Sequence, residues 1–121
     1  MVDQAEYQIS SSVVNDGFLE FVVTGNAIGS DFEKMINEVD SIIKANNTKK
    51  AIFDIRTLEG RLERTEIYRF VRNYPSVIYD IQCAMVDLPE NVHYKTASKN
   101  AGLSLEWFTD IDTARAWIKN K

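Results

Sequence analysis

The chain is poor in the residues that build several familiar kinds of site, and each scarcity narrows what it can be. It has one cysteine, so no intrachain disulfide can form and stability must come from a packed core. A length of 121 residues is enough for such a core and fits a single domain over 1–121. The one histidine, His93, leaves a histidine-based metal cluster or a Ser/His triad without parts. No apolar run approaches the roughly 18 residues of a membrane-spanning helix. The opening Met1–Glu6 has no basic start and no apolar stretch, so no signal peptide is expected and a cytoplasmic location is. A net charge of −4 lacks the basic footprint that neutralises phosphates, so no nucleic-acid partner is expected. The stretch Gly25-Asn-Ala-Ile-Gly29-Ser30 has the glycines of a phosphate loop, but no Gly-Lys-Ser/Thr follows and the dinucleotide pattern fails, which excludes nucleotide binding on this evidence.

What is present is a regular alternation. Glu6 to Val14 and Phe18 to Thr24 are rich in β-branched and aromatic residues, and Asn15-Asp16-Gly17 between them is a favoured turn, so the chain opens with a β-hairpin. Ser30-Asp-Phe-Glu33 has the form of a capping box. Phe32, Met35, Ile36, Val39, Ile42 and Ile43 follow at helical spacing and predict one core-facing stripe, with Asn46-Asn47 as the stop. Lys50 to Ile55 reads as a strand, with Phe53 and Ile55 on one face and Ile52 and Asp54 on the other. A second helix is predicted from about Arg64 to Tyr74, ending before Pro75.

Ile81 to Asp87 is the next strand. Pro89 suits the start of a third helix and Gly102 its end. Leu103 to Phe108 is a strand, and Thr109-Asp-Ile-Asp112 opens a final helix packing through Ile111, Ala114, Trp117 and Ile118. Repeated strand–helix units predict a mixed, mainly parallel five-stranded α/β sheet with an N-terminal β-hairpin and four helices. Polar residues at period two (Glu20, Asp54, Gln82, Ser104, Glu106) suggest helices mainly on one face and a partly open second face.

Five of the six arginines fall between the third predicted strand and the end of the second predicted helix, at Arg56, Arg61, Arg64, Arg69 and Arg72. Guanidinium groups at a helix start make an anion or acidic-partner site, because the helix dipole and free N–H groups add to their charge. The same residues also fit a solvated face neutralised by Glu59, Glu63 and Glu66, the commoner use of a charge run. Thr65, among these arginines, is either a helix N-cap or a candidate phospho-acceptor. Asp54, near the carboxyl end of its strand, stands where ligands meet open α/β sheets, but it has no paired acid or base. Cys83 reads as a small buried hydrophobe in a central strand. Trp107, Phe108, Trp117, Tyr94 and Tyr74 read first as core, and secondarily as the lining of an apolar pocket.

The hairpin leading to Gly25, the Ile52-Phe-Asp-Ile55 strand with its Leu58-Glu-Gly60 loop, and the ending Trp107-Phe-Thr-Asp-Ile-Asp-Thr-Ala-Arg-Ala-Trp117-Ile together resemble the SpoIIAA-like (STAS-related, Sec14-like) family of small bacterial domains over nearly the whole chain. The resemblance implies a βα superhelix and a regulatory or binding role without catalysis. In the anti-sigma-factor antagonist branch a serine in Asp-Ser-Ser-Gly is phosphorylated as a switch. That stretch falls near Glu63-Arg64-Thr65-Glu66 here, where the serines and glycine are absent and Thr65 is the only hydroxyl.

The resemblance and the arginines together predict a non-enzymatic regulatory domain meeting a protein partner, or a small anionic or amphipathic ligand, through Arg56, Arg61, Arg64 and Arg72. A carrier of an apolar or lipid-like ligand, visiting membrane surfaces, is the alternative. A homodimer is a further expectation, and no cofactor or metal is expected. An enzyme built on Asp54, Cys83 or His93 is the weakest reading.

Overall fold

The structure, a computed structural model, describes residues 7–13, 17–26, 30–59, 65, 69, 81–100 and 105–121. The predicted hairpin forms: β1 (Tyr7–Val13) and β2 (Leu19–Asn26) pair antiparallel from Tyr7↔Gly25 to Val13↔Leu19. Gly17 supplies the left-handed backbone of the turn at φ +84°. α1 (Ser30–Asn46) then crosses to β3 (Lys50–Asp54), which lies parallel to β2. The predicted stripe faces inward, with Met35, Val39 and Ile43 buried and Phe32, Ile36 and Ile42 half-buried. The helix stops at Asn47, whose φ of +50° is a left-handed conformation that asparagine tolerates. The expected Ser30–Glu33 capping box falls on a side chain outside the described residues.

After β3 the chain makes a two-residue strand, β4 (Leu58–Glu59), which also pairs parallel with β2. β5 (Gln82–Val86) pairs parallel with β3. A 3₁₀ turn over Pro89–Asn91 leads into α2 (Val92–Asn100), and β6 (Leu105–Phe108) closes the sheet parallel to β5. The last element is α3 (Ile111–Lys119). Among the described residues the sheet therefore has six strands where five were expected, in the order β1-β2-β3-β5-β6, with β4 paired to β2 off that path. Three α-helices are described where four were expected. The helix expected over Arg64–Tyr74 lies outside the described residues except for Thr65 and Arg69, which are both helical.

Side chains alternate cleanly between the two faces. Phe21, Phe53, Met85 and Trp107 stand in register across β2, β3, β5 and β6 and pack with α1 in one core, with Phe21 and Phe53 stacked at 5.0 Å. Ile52, Ala84 and Val86 point the other way and pack with Phe18, Ala114 and Ile118 in a second core. The final helix thus covers the face expected to be partly open, which corrects the one-sided arrangement. Its amphipathic stripe had to be buried, and the small Ala84 and Ala114, both fully buried, leave room for close approach. Among the described residues that face still exposes Gln8, Ser10, Ser12 and Val22 at the β1–β2 corner, and Gln82 and Glu106 on β5 and β6.

The helix start is capped by Asp110, one residue later than the predicted Thr109-led box. The Asp110 carboxylate accepts the Thr113 N–H at 2.9 Å and the Thr113 hydroxyl at 3.0 Å. No described helix is long and apolar enough to cross a membrane.

Candidate functional site

Parallel strands end together, and here four of them deliver polar groups to one end of the sheet: Asn26 from β2, Asp54 from β3, Asp87 from β5 and Asp110 beyond β6. This is where open α/β sheets meet their ligands. The local backbone at β3 explains the arrangement. β3 pairs with β2 at an offset of 32 (Leu19↔Ala51), and β4 rejoins it at an offset of 33 (Gly25↔Leu58). Val23 and Thr24 therefore span the same stretch as Ile55, Arg56 and Thr57. One extra residue makes a bulge, and bulges re-aim side chains next to functional sites. Leu58 closes the bulge by donating its N–H to the Ile55 carbonyl at 3.1 Å, while the Ile55 N–H still reaches the Val86 carbonyl at 3.0 Å. Gly25, the partner of Leu58 on β2, takes a left-handed φ of +88°.

Arg56 sits in the bulge and folds back onto Asp54. Its Nε and Nη2 donate to Oδ1 and Oδ2 at 3.0 and 2.7 Å, and the Arg56 N–H adds a third bond to Oδ1 at 3.2 Å. Partial burial pushes the Asp54 carboxyl up, but the hydrogen bonds and charge of Arg56 outweigh it and hold the group below its ordinary value. Arg56 is in turn held above its ordinary value, first by the Asp54 hydrogen bond and charge, with a further contribution from Asp110. The Arg56 guanidinium is thus hydrogen-bonded to one carboxylate, Asp54, and attracted by the charge of a second, Asp110. Its side chain is 38 % exposed, so one side of it still meets solvent.

Asp87 is buried, and the sequence reading passed over it. Its Oδ1 accepts the Leu88 N–H at 2.8 Å and Asn91 Nδ2 at 3.0 Å, pinning the 3₁₀ turn, while its own N–H donates to the Phe108 carbonyl at 2.9 Å. The local signal was there, since an Asp side chain readily bonds the backbone just beyond it where the chain turns. Asn26 Oδ1 is also buried at this end and has no hydrogen-bond partner.

Of the arginines singled out in the sequence, Arg56 is placed at this end of the sheet. Arg69 is helical and exposed, and Arg61, Arg64 and Arg72 lie outside the described residues. Thr65 is exposed and itself helical, not in the half-in position that an N-cap occupies. The candidate catalytic groups are not poised for chemistry. Cys83 is buried, and burial pushes its thiol up to about 12, so it is protonated at neutral pH. His93 lies exposed on α2 with its ring 4.0 Å from that of Tyr94. Asp54 is committed to Arg56. Among the described residues no group of three His, Cys, Asp or Glu side chains is placed to hold a metal. Trp107 packs into the first core and Phe108 meets Trp117 at 5.7 Å, so the described aromatic residues at the C-terminus pack the domain; Tyr74 lies outside the described residues.

No family model matches the chain. No curated protein matches it either. Among solved structures, the fold is similar to that of an uncharacterised DUF3478-family protein with a SpoIIAA-like fold from Shewanella loihica PV-4, at 17 % identity, a TM-score of 0.62 and 98 % coverage of both chains. It is also similar to an anti-sigma factor antagonist from Mycobacterium paratuberculosis, at 12 % identity and a TM-score of 0.60, with 98 % of this chain and 99 % of that one covered. The hairpin, the one-directional parallel sheet and the closing helix on the far face therefore make the SpoIIAA-like fold, over essentially the full length of the chain.

Proposed function

We propose that the protein is a non-enzymatic regulatory domain that works by docking a protein partner at the carboxyl end of its sheet. The contact runs from the Arg56 bulge to the helical residues Thr65 and Arg69, with Arg61, Arg64 and Arg72 supplying the positive charge that an acidic partner surface needs. The observation that carries this reading is the likeness to an anti-sigma factor antagonist over nearly all of both chains. The state of the candidate nucleophile and base is consistent with it: the Cys83 thiol is buried and protonated, and His93 is exposed on a helix with its ring against Tyr94.

Thr65 gives the surface a means of control. Exposed and four residues from the exposed Arg69, it is accessible to a kinase, and a phosphate there adds about two negative charges to a basic surface. The test is affinity capture with the tagged full chain. Replacing Arg61, Arg64 and Arg72 together by Ala should abolish recovery of the captured partner, and Thr65→Glu should weaken it, with Lys119→Ala as a control on the far helix. Undiminished recovery with the triple variant removes the site.

A further inference from the structure

A strand at the edge of a sheet presents a row of backbone donors and acceptors, and proteins that stay single blunt that edge with charge, proline, a bulge or brevity. The two edges here differ in this respect. β6 is four residues long and carries Glu106. β1 runs seven residues, Tyr7-Gln-Ile-Ser-Ser-Ser-Val13, with no charged residue and no proline. It has no bulge either, because its register with β2 is unbroken from Tyr7 to Val13. At about 3.4 Å per residue it offers a template about 24 Å long. Among the described residues the sheet order places nothing beyond it.

We infer that β1 is a docking edge for β1 of a second copy of this chain, the two strands pairing antiparallel about a two-fold axis at Ser10. The sequence of the strand suits its own image. With Ser10 on the axis, Ser10 faces the partner's Ser10 and Gln8 faces the partner's Ser12, so hydroxyl and amide groups meet on the wet face of the sheet, where these three side chains are exposed. On the opposite face Ile9 meets the partner's Ser11, and Tyr7 meets the partner's Val13. Val13, an apolar side chain left 63 % exposed, is covered by that last pair. No charge opposes a like charge at any of these positions. An isologous contact of this kind closes on itself and joins two six-stranded sheets into one. It goes beyond the partner docking proposed above and uses the opposite edge of the hairpin from the Arg56 bulge, so the two readings fail separately.

The experiment exploits the axis. Ser10 is exposed on the open sheet face, so Ser10→Lys and Ser10→Asp alter no buried contact and should leave circular dichroism and the unfolding midpoint unchanged. In sedimentation equilibrium at two concentrations about a hundredfold apart, the unmodified full chain should dimerise. Each variant alone, with like charges facing across the axis, should dimerise at least about tenfold more weakly. An equal mixture of the two should recover association as a mixed dimer, identified by its intermediate mass in native mass spectrometry. A wild-type chain that stays monomeric at the higher concentration overturns the inference. So do variants that dimerise as the wild type does, or a mixture that recovers nothing.

Discussion

Replacing Arg115 should destabilise the protein far more than replacing the acid it pairs with. Arg115 lies on α3 and reaches across to Glu20 on β2, with Nη2 donating to Oε2 at 3.0 Å alongside a second bond from Nε to Oε1. The two side chains are unequally wet, the guanidinium being 42 % exposed and the carboxylate 15 %. In Arg115→Met the Glu20 carboxylate is stranded on the sheet with little water to replace its partner. Fully buried pairs lose roughly 3–5 kcal/mol when broken this way, and exposed ones about 0.2–1 kcal/mol. A half-buried bidentate pair falls between them, at about 2 kcal/mol. For a domain of this size that is a drop in Tm of about 8 °C. In Glu20→Gln, by contrast, Arg115 can turn toward solvent and Asp112, which already lies 3.4 Å away, so the loss should stay below about 1 kcal/mol. Urea unfolding of both single variants and the double variant gives the coupling directly. Equal losses from the two single variants, or a coupling indistinguishable from zero, would refute the reasoning that burial of the carboxylate makes this clamp.

Three further outcomes are expected. The Asp54 carboxyl sits below its ordinary 3.8, so its stabilising contribution is complete above that pH and fades as pH falls beneath it; Asp54→Asn should therefore flatten the acid limb of the stability–pH curve while leaving its shape near neutrality unchanged. Native Cys83 should resist thiol reagents at neutral pH and react fully once the chain is unfolded in urea, and rapid labelling of the native protein would contradict its placement. Ile118→Ala, at a fully buried position between α3 and the sheet, should cost about 2–5 kcal/mol by calorimetry, and a loss under ~1 kcal/mol would show that the second core does not hold the helix.

Local periodicity made much of this fold readable. The α1 stripe and the alternation of Ile52 against Phe53 are properties of short windows, and each appears in the structure on its expected face. What escaped has a common cause in separation or brevity. β4 is two residues long and has no period to detect; it exists because one extra residue at the bulge lets the chain return to β2. The stripe of the last helix announced that it packs but not against which face of the sheet, and that was settled by small side chains at Ala84 and Ala114, 30 positions apart in the chain. Thr109 and Asp110 are both good caps, and the choice of the second turned on a single residue. The Glu20–Arg115 clamp joins residues 95 positions apart, and Glu20 in isolation reads only as a polar residue on an open face. At the candidate site, the arginine run and Asp54 were visible in the sequence; the Arg56–Asp54 pairing and the buried Asp87 required the bulge and the converging strand ends.

Amide hydrogen exchange on the full chain, alone and in complex with the captured partner, tests the docking claim most directly. Slowed exchange on binding should concentrate over residues 55–72, from the Arg56 bulge through the arginine-bearing segment. Protection confined to α3 or to the β1 edge, with 55–72 exchanging as in the free chain, would contradict it.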